Sequence, residues 1–472
     1  MSRPAAEPFE LAKVDFGRFD AESDPDLLKY FLVTGTVREV TTGAKLVVGR
    51  KGSGKTALFR RLAATLDVEV VELDLLDYVF ELHKGFTEIG LSPERAYSAS
   101  WKLLIYSAMF AQIREKVSPK VRRSGDDILR EIGIGDASGK FRAMIGWLKR
   151  VRRVDLPSVE GIASLGGLEI AEGEASQLSA KTAQAIDALE KLVREAANEV
   201  PVIVLIDRLD DAWDGSDASL SLITGAVRAT RDIANVLESS RPAPVITFLR
   251  TDLWERLSFN DKNKMSQDIV YLNWEASELL DVIDLRVSTS AGLPRGTGWD
   301  YAFTGDEMRQ RASAKTYMTK RAQGRPRDIV AFAGFSHKAA IAAGHNQIEK
   351  EDIYEAERRY SKHLLEELRD EIERHVRDFT LVINTLKALP SRTFTTSDWS
   401  QAAEANGLSD SDAAKALDQL FEASAVGVHS AGGAKGGSGT TFRYQDRHLR
   451  ATETESLQVH LGLVRELGLK DK

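Results

Sequence analysis

The chain has 472 residues, a net charge of −7, 43% hydrophobic and 29% charged residues, and no cysteine. This length predicts two or three domains with a sizeable core, and the composition is that of an ordinary globular protein. The lack of cysteine excludes disulfides and thiolate metal sites, and the lack of a long apolar run argues against a membrane span. We therefore expect a cytoplasmic protein without a signal peptide or membrane contact.

Residues 1–40 are predicted to form a lead-in to the first domain. Asp24-Pro25-Asp26 is typical of a helix start, and the apolar residues among 27–32 would lie on that helix. Core packing is the favoured interpretation of these residues, and a position beside the base of a nucleotide is the alternative.

The strongest motif lies at residues 46–57, where an apolar run precedes a glycine-rich loop and a helical pattern. The loop reads G-x4-G-K-T, which is the spacing of a phosphate-binding loop. Its glycines permit backbone geometry that a Cβ would obstruct, so the loop N–H groups and the following helix N-terminus can converge on phosphate. The candidate nucleotide-binding residues are Gly49, Gly52, Ser53, Gly54, Lys55, Thr56 and Ala57.

Two residues of this loop have predicted roles in chemistry. Lys55 would reach the β- and γ-phosphates, and the Thr56 hydroxyl would complete the shell of a Mg²⁺ ion. The predicted cofactors are therefore a nucleoside triphosphate and Mg²⁺.

Residues 67–74 are predicted to form a second strand, and helical patterns continue to Ile113. Residues 114–180 have the character of an insertion that is basic first and Gly/Ser-rich later, with a helical pattern from Phe141 to Val151. Between Arg114 and Arg153 the net charge is +7, which leaves about −14 for the rest of the chain. A solvated basic face is the favoured interpretation, and a docking surface for nucleic acid or an acidic partner is the alternative.

After a predicted helix at 183–197, three apolar strands follow at 201–207, 244–250 and 269–272. Continuous apolar runs that alternate with helices predict a doubly wound parallel sheet. The first of these strands ends in Asp207, a candidate second ligand of Mg²⁺, although a carboxylate that caps a strand end is the alternative. The second ends in Arg250, where a cation can sense the γ-phosphate beyond the strand ends.

The remaining residues are predicted to be mainly helical. A helix start at Gly324-Arg325-Pro326-Arg327 and a long charged helix at 351–377 lead to a last domain at about 378–448. Its order of helix, short strand, two helices and an extended pair (426–429 and 441–444) is that of a winged helix. The helix that would enter a DNA groove is acidic, so a protein contact is favoured over DNA reading.

These motifs together resemble the bacterial P-loop ATPases of the AAA+ and STAND type, closest to KAP-like and origin-recognition-like members. Residues 49–56 resemble their Walker A motif, Asp207 ends a segment similar to Walker B, and 248–252 resembles the strand end that supplies sensor 1. The resemblance implies that ATP is the nucleotide and that Pro326 faces its adenine. It also implies that Arg325 or Arg327 is the second phosphate sensor.

The residue after Asp207 departs from this family pattern. Many relatives have a second acid there to polarise the attacking water, whereas this chain has Arg208. Asp210 is the favoured candidate for that role and Asp211 is the second. If neither reaches the γ-phosphate, turnover would be very slow, as suits a switch rather than a motor.

The expected architecture is an α/β P-loop core with a helical lid and a winged helix. The predicted division is a lead-in at 1–40, an ATPase core at 41–274, a lid with a bridging helix at 275–377, and a winged-helix domain with a tail at 378–472. Lys55, Asp207, Asp210 and Arg250 are the candidate catalytic residues. Arg231 and Arg256 are candidates to act across a homo-oligomer boundary, with ordinary surface positions as the alternative.

Three functions remain open from the sequence. The first is an ATP-driven conformational switch that acts on a protein partner, with signalling or phage defence as settings suggested by the resemblance alone. The second is a DNA-associated ATPase or loader that uses the basic region at 114–153 and the wing. The third is an ATP-binding scaffold with negligible turnover.

Overall fold

The structure is a computed structural model that describes residues 9–74, 93–131, 174–237, 243–430, 438–450 and 456–470. The described residues form two compact units. The first contains residues from 1–34, 51–57 and 273–472, and the second contains residues from 35–50 and 58–272. Among the described residues, no helix is both long enough and apolar enough to cross a membrane.

The second unit is built on a parallel sheet of five strands in the order β2-β3-β4-β1-β5. The strands are β1 (Leu46–Gly49), β2 (Glu69–Asp74), β3 (Val202–Asp207), β4 (Val245–Arg250) and β5 (Ile269–Tyr271). All residues of β1 and β3 are buried, as expected for strands covered on both faces. The predicted doubly wound parallel sheet is therefore confirmed.

Helices bury the apolar faces of this sheet. They are α1 (Gly35–Val40), α2 (Lys55–Thr65), whose first turn belongs to the first unit, α3 (Pro93–Ile113), α4 (Pro119–Glu131), α5 (Glu174–Glu199), α6 (Asp217–Val236) and α7 (Thr251–Arg256). Helices α3 and α6 pack extensively against each other. The indole N–H of Trp101 on α3 donates to the Leu222 carbonyl on α6 at 3.1 Å. Gly225 allows this close approach, because a Cβ there would lie 2.6 Å from the Tyr97 Cβ.

The first unit is mainly helical. Its helices before residue 375 are α8 (Ala276–Ser290), α9 (Gly298–Ala302), α10 (Ala314–Thr319), α11 (Pro326–Ala343) and α12 (Lys350–Ile372). A short hairpin of β6 (Glu307–Met308) and β7 (Ala312–Ser313) lies between α9 and α10. Residues 11–16 of the lead-in pack in the core of this unit together with α8 and α11.

The C-terminal part of the first unit combines helices with a four-stranded sheet. It comprises α13 (Phe379–Ala388), β8 (Thr393–Phe394), α14 (Thr396–Ala405), α15 (Asp410–Glu422), β9 (Val426–Ser430), β10 (Gly439–Thr441), β11 (Ser456–Val459) and α16 (Leu461–Leu467). Its four strands run in the order β10-β9-β11-β8. The segment predicted as a tail therefore supplies β11, the strand that separates the short β8 from the hairpin.

Several local predictions were wrong. Residues 25–30 form turns and no helix, since the Asp24 carboxylate accepts from the Asp26 N–H and the Tyr30 hydroxyl, and so competes with helical bonds. The strand predicted at 441–444 instead ends at Thr441, because the Gln445 side-chain oxygen accepts a hydrogen bond from the Phe442 N–H. The bridging helix ends at Ile372. The predicted helix at 141–151 and the glycine-rich wing tip lie outside the described residues.

The α3–α6 contact gives a stability prediction. Gly225→Ala should lower the free energy of unfolding of the second unit by about 1–3 kcal/mol, because overpacking against Tyr97 outweighs the gain in helix propensity. Urea denaturation followed by circular dichroism measures this change. Gly35→Ala is the matched control, since nothing lies within 4 Å of its added Cβ. Equal stability of the two variants would contradict the proposed close packing.

Candidate functional site

The carboxyl ends of β1, β3 and β4 meet at one edge of the sheet in the second unit. Gly49 is the register partner of Arg250, and Ile206, the residue before Asp207, is the partner of Thr247 on β4. Parallel strands present their loops at the same edge, so three of the predicted site residues are neighbours in this unit. Asp207 is 1% exposed.

The residues after Asp207 form a short 3-10 helix at Leu209–Ala212. Arg208 enters it in a left-handed conformation with φ of 64°, and its Nε donates to the Asp211 carboxylate at 3.0 Å. This ion pair engages Asp211, whereas Asp210 is partly exposed in the same turn. Asp211 is the more exposed of the two acids, so the ion pair with Arg208, and not exposure, is what distinguishes it from Asp210.

Arg250 makes a two-pronged contact with a carboxylate. Its Nε and Nη2 atoms each donate to Asp252 at 2.9 Å, across the start of α7. A bidentate pair of this kind fixes the guanidinium plane. A phosphate at this strand end would therefore have to share Arg250 with Asp252.

The candidate cross-subunit arginines also belong to the second unit. The guanidinium of Arg256 stacks over the Trp213 ring at 5.3 Å, and Arg231 lies partly buried on α6. Trp213 and Trp254 are both buried and contribute to the packing of this unit.

The loop residues 51–57 belong to the first unit, directly after Arg50 in the chain. Gly52 and Gly54 have φ values of +79° and +96°, which side chains with a Cβ rarely adopt. Lys55 and Thr56 open the 11-residue helix α2, whose first turn carries no acid. This combination of glycines and a helix N-terminus is the donor set that phosphate binding requires.

Trp274 holds the tip of this loop. Its indole N–H donates to the Ser53 carbonyl at 2.8 Å, and its ring lies 3.8 Å from the Cβ that a side chain at Gly54 would have. Ser53 is buried, and its hydroxyl has no hydrogen-bond partner among the described residues. Trp274 was missed by the sequence interpretation, because a tryptophan after a short strand carries no phosphate-binding signal.

The N-terminus of α11 packs on the same loop. The Cβ that a side chain at Gly52 would carry lies 3.2 Å from the Arg327 Cβ, and Arg325 Nη1 donates to the Lys51 carbonyl at 3.3 Å. Pro326 is the first residue of α11, where a missing N–H costs nothing. The structure thus brings the loop and the predicted Gly-Arg-Pro-Arg segment together.

Both candidate sensor arginines are paired with acids. Arg325 is 2% exposed, and its Nε donates to Asp328 at 2.9 Å while Nη1 lies 3.5 Å from Glu371. Burial alone would lower the pKa of Arg325, but the carboxylates of Asp328 and Glu371 outweigh it and raise that pKa. Arg325 therefore carries a permanent charge that tethers the loop backbone to the lid.

Acids on α12 face the loop and Arg327. Arg327 donates to Glu367 at 2.8 Å, and Lys51 Nζ lies 3.1 Å from Asp370 and 3.6 Å from Glu367. Burial by itself would raise the pKa of Glu367, but Arg327 and Lys51 outweigh it and lower that pKa. The spacing of acids at 367, 370 and 371 places them on one helix face, which is a signal that the sequence contained.

The basic region is largely neutralised where the structure describes it. Its described part ends at residue 131, and the rest of the +7 segment lies outside the described residues. Five of its cations form ion pairs with nearby carboxylates: Arg114, Lys116, Lys120, Arg122 and Arg130. Residues 114–131 therefore offer little excess charge to a polyanion.

The described residues form no metal site that is complete by itself. Among the described residues, no group of three or more His, Asp or Glu side chains could hold a metal ion. The Thr56 hydroxyl and the Asp207 carboxylate are each, by chemistry, oxygen ligands that Mg²⁺ accepts beside phosphate oxygens and water.

Two family models match the chain. Residues 31–237 match the AAA ATPase domain, and residues 277–369 match the FunZ-associated C-terminal helical domain. The first match contains the loop, Asp207 and Asp210. The second contains Pro326, Arg325 and Arg327 together with the acids Glu367 and Asp328.

A curated relative comes from Escherichia coli strain K12. It is described as the 80.3 kDa protein of transposon gamma-delta and is 23% identical over 392 residues. The match covers 79% of this chain and 54% of that protein, so the chain spans about half the length of the relative.

Solved structures with a detectable likeness include proteins titled Cdc6p, ORC2 and ORC. Cdc6p of Pyrobaculum aerophilum is 13% identical with a TM-score of 0.32, and covers 89% of this chain and 85% of its own. ORC2 of Aeropyrum pernix, in ADPNP and ADP complexes, is 12% identical with a TM-score of 0.41 and coverages of 94% and 96%. Drosophila ORC bound to DNA is 13% identical with a TM-score of 0.28 and coverages of 98% and 93%. At such low TM-scores the fold assignment rests on the strand order of the chain itself.

The contact of Trp274 with the loop gives a binding prediction. Trp274→Phe should weaken ATP binding roughly three- to tenfold, because the loss of one hydrogen bond frees the Ser53 carbonyl and loosens the loop. Titration with a fluorescent ATP analogue measures the dissociation constant. Trp254→Phe is the matched control, since Trp254 packs against Lys262 in the second unit and should leave the constant unchanged. If both variants bind as the wild type does, Trp274 does not position the loop.

Proposed function

Since the chain carries an AAA+ P-loop ATPase domain at residues 31–237, we propose that it binds and hydrolyses ATP as a slow conformational switch that acts on a protein partner. The observation that carries this proposal is the contact of the loop 51–54 with the lid helices α11 and α12. A shift of this loop on nucleotide binding would be passed directly to the lid.

The loop of the first unit and the sheet edge of the second unit each carry groups of the kind that ATP requires. Backbone N–H groups of residues 52–57 would bind the β-phosphate, and the Lys55 ammonium would neutralise the γ-phosphate. Thr56 and Asp207 provide oxygen ligands suited to Mg²⁺, which when bound would offset phosphate charge and orient the γ-phosphate. The lid proline, Pro326, would face the adenine, as the family resemblance implies.

Hydrolysis needs an acid to orient water and a cation to stabilise developing charge. Asp210 would hold the attacking water, and its neighbour Asp211 is less suited because Arg208 engages it. Arg250 would stabilise charge on the γ-phosphate. Because Asp252 already binds Arg250 through two hydrogen bonds, this stabilisation is shared, which fits slow turnover.

The lid arginines would report on the nucleotide. Arg327 lies against Gly52 and is the better placed of the two, since Arg325 is fully engaged in the lid core. If a phosphate oxygen replaced Glu367 as the partner of Arg327, α12 would move relative to the loop. Such an exchange gives the switch two states with different contacts. A regulatory role in signalling or phage defence is consistent with this behaviour.

The main test is a panel of three variants assayed for ATP binding and for phosphate release. Lys55→Ala should lose ATP binding, because the γ-phosphate charge loses its partner. Asp210→Asn should bind ATP as the wild type does and lower the hydrolysis rate by about 10²-fold or more, the usual loss on removal of a general base. Asp211→Asn is the matched control and should keep most of the rate. A wild-type rate in Asp210→Asn would reject Asp210 as the base.

Absence of turnover in the wild type would have a separate meaning. If ATP raises the unfolding temperature but no phosphate is released above background, the chain is an ATP-dependent scaffold and the switch is driven by exchange alone. If Lys55→Ala is stabilised by ATP as strongly as the wild type, the proposed nucleotide site is wrong.

A DNA-associated role is the second candidate, favoured by the charge of residues 114–153. The E. coli relative is named for a transposon, and one solved structure of similar chain length is described as bound to DNA. This role predicts that double-stranded DNA stimulates ATP hydrolysis and that DNA affinity falls steeply with salt. The acidic surface of α15, with Asp410, Asp418 and Glu422 exposed, argues for a protein contact there instead. No DNA binding at low salt would exclude the DNA role.

A further inference from the structure

A polar cavity lies in the first unit, lined by residues that the proposed ATP site does not use. It has a volume of about 250 Å³, and its walls come from the β6–β7 hairpin, α12 and the C-terminal helix α16. The lining residues are Arg309, Arg321, Glu357, Leu461, Val464, Arg465, Gly468 and Leu469. The lining therefore combines three guanidinium groups and one carboxylate with the apolar residues Leu461, Val464 and Leu469.

The helix α16 is firmly docked over this cavity. A Cβ at Gly462 would lie 2.4 Å from the Arg321 carbonyl, so only glycine permits the observed approach. The N–H of Glu466 donates to the Ser361 hydroxyl at 2.9 Å, and the Tyr360 hydroxyl donates to the Arg321 carbonyl at 2.8 Å. Such specific contacts hold the two walls at a fixed distance.

The only carboxylate among the lining residues is satisfied by buried donors. Glu357 accepts from Arg321 Nε at 2.6 Å and from the Tyr317 hydroxyl at 2.9 Å. Arg309 Nη1 lies 3.9 Å from Glu357, which is within ion-pair distance but beyond hydrogen-bond distance. Among the described residues, no carboxylate lies within ion-pair distance of Arg465. The cavity thus has an excess of positive charge at its mouth.

Arg309 is held in place by its surroundings. Its guanidinium stacks on the Tyr354 ring at 4.3 Å, and the Tyr354 hydroxyl accepts from its backbone N–H at 2.7 Å. The next two residues, Gln310 and Arg311, have φ values of 58° and 56°, a left-handed conformation that side chains with a Cβ seldom adopt. Consecutive strained residues of this kind are typical of sites where a side chain must be presented in one geometry.

We propose that this cavity binds a small phosphorylated molecule, with Arg309 and Arg465 as the residues that bind its phosphate group. Guanidinium groups match phosphate oxygens in geometry and charge, and stacking on Tyr354 leaves the polar edge of Arg309 available. A volume of about 250 Å³ exceeds that of a phosphate ion and leaves space for a short carbon body against Leu461, Val464 and Leu469. A ligand here would bridge the lid helix α12 and the C-terminal helix α16.

The test measures binding of labelled inorganic phosphate by equilibrium dialysis at constant ionic strength, on the full chain with Lys55→Ala. That background removes phosphate binding by the nucleotide loop. Arg309→Gln and Arg465→Gln, each added to it, should weaken phosphate binding by roughly tenfold, as expected for the loss of one charge-assisted hydrogen bond. Both residues are exposed, so neither substitution should disturb folding.

Matched controls separate a site from general charge attraction. Arg311→Gln and Arg358→Gln remove the same charge from exposed neighbours that do not line the cavity, and both should bind phosphate as the Lys55→Ala parent does. Equal weakening in the controls, or unchanged affinity in Arg309→Gln and Arg465→Gln, would overturn the proposal. So would the absence of saturable phosphate binding to the parent.

Two competitors define the ligand class. Glycerol 3-phosphate should displace labelled phosphate at lower concentrations than unlabelled phosphate does, because its carbon body adds contact with the apolar wall. Succinate, a dicarboxylate of similar size, should compete more weakly than unlabelled phosphate. A preference for succinate, or weaker competition by glycerol 3-phosphate than by phosphate, would contradict the assigned class.

Discussion

The attachment of the loop 51–54 to the lid is the interaction on which the rest of the structure depends. Two glycines in left-handed conformations shape this loop, the Trp274 indole binds the Ser53 carbonyl, and Arg325 binds the Lys51 carbonyl. These contacts come from residues more than 200 positions away in the chain. The loop is therefore structurally part of the helical unit as well as the start of α2, and a change in one affects the other.

Many charged side chains of this protein lie in ion pairs with a group of opposite charge. Arg208, Arg250 and Arg327 each bind a carboxylate, and five described cations of the basic region do the same. In partly buried surroundings such pairs restrict the orientation of each side chain. Under the proposed function, a phosphate would compete with a resident acid for Arg250 and Arg327, which would suit sensing of a ligand better than rapid catalysis.

In the arginine-lined cavity, ion pairing leaves more cations than acids. There the buried acid, Glu357, accepts hydrogen bonds from Arg321 and Tyr317. Under the proposal, Arg309 and Arg465 can then still donate hydrogen bonds to an anion. Because α12 carries Glu357 on this cavity and Glu367 near the nucleotide loop, one helix contacts both places. A rigid helix is a direct physical route by which occupancy of one place can bias the other.

The sequence by itself determined the elements and the chemistry of the core. Apolar runs that end in Gly49, Asp207 and Arg250 predict parallel strands whose ends meet at one edge, because strand burial and the alternation with helices leave few other arrangements. The glycine spacing of the loop likewise follows from backbone sterics that act over a few residues. These features are local, or they depend only on pattern, so they can be derived before the tertiary structure is known.

Only the tertiary structure determines which charged side chains are already paired and which could bind a ligand. Nothing in the spacing of Arg208, Asp210 and Asp211 indicates which acid is paired, and nothing near Trp274 or Glu367 points to the loop at 51–54. The tertiary structure also determines the role of the C-terminal tail, since β11 inserts between β8 and β9 and brings α16 onto α12. These outcomes depend on distances between residues far apart in the chain, which hydrophobic periodicity and local propensity do not encode.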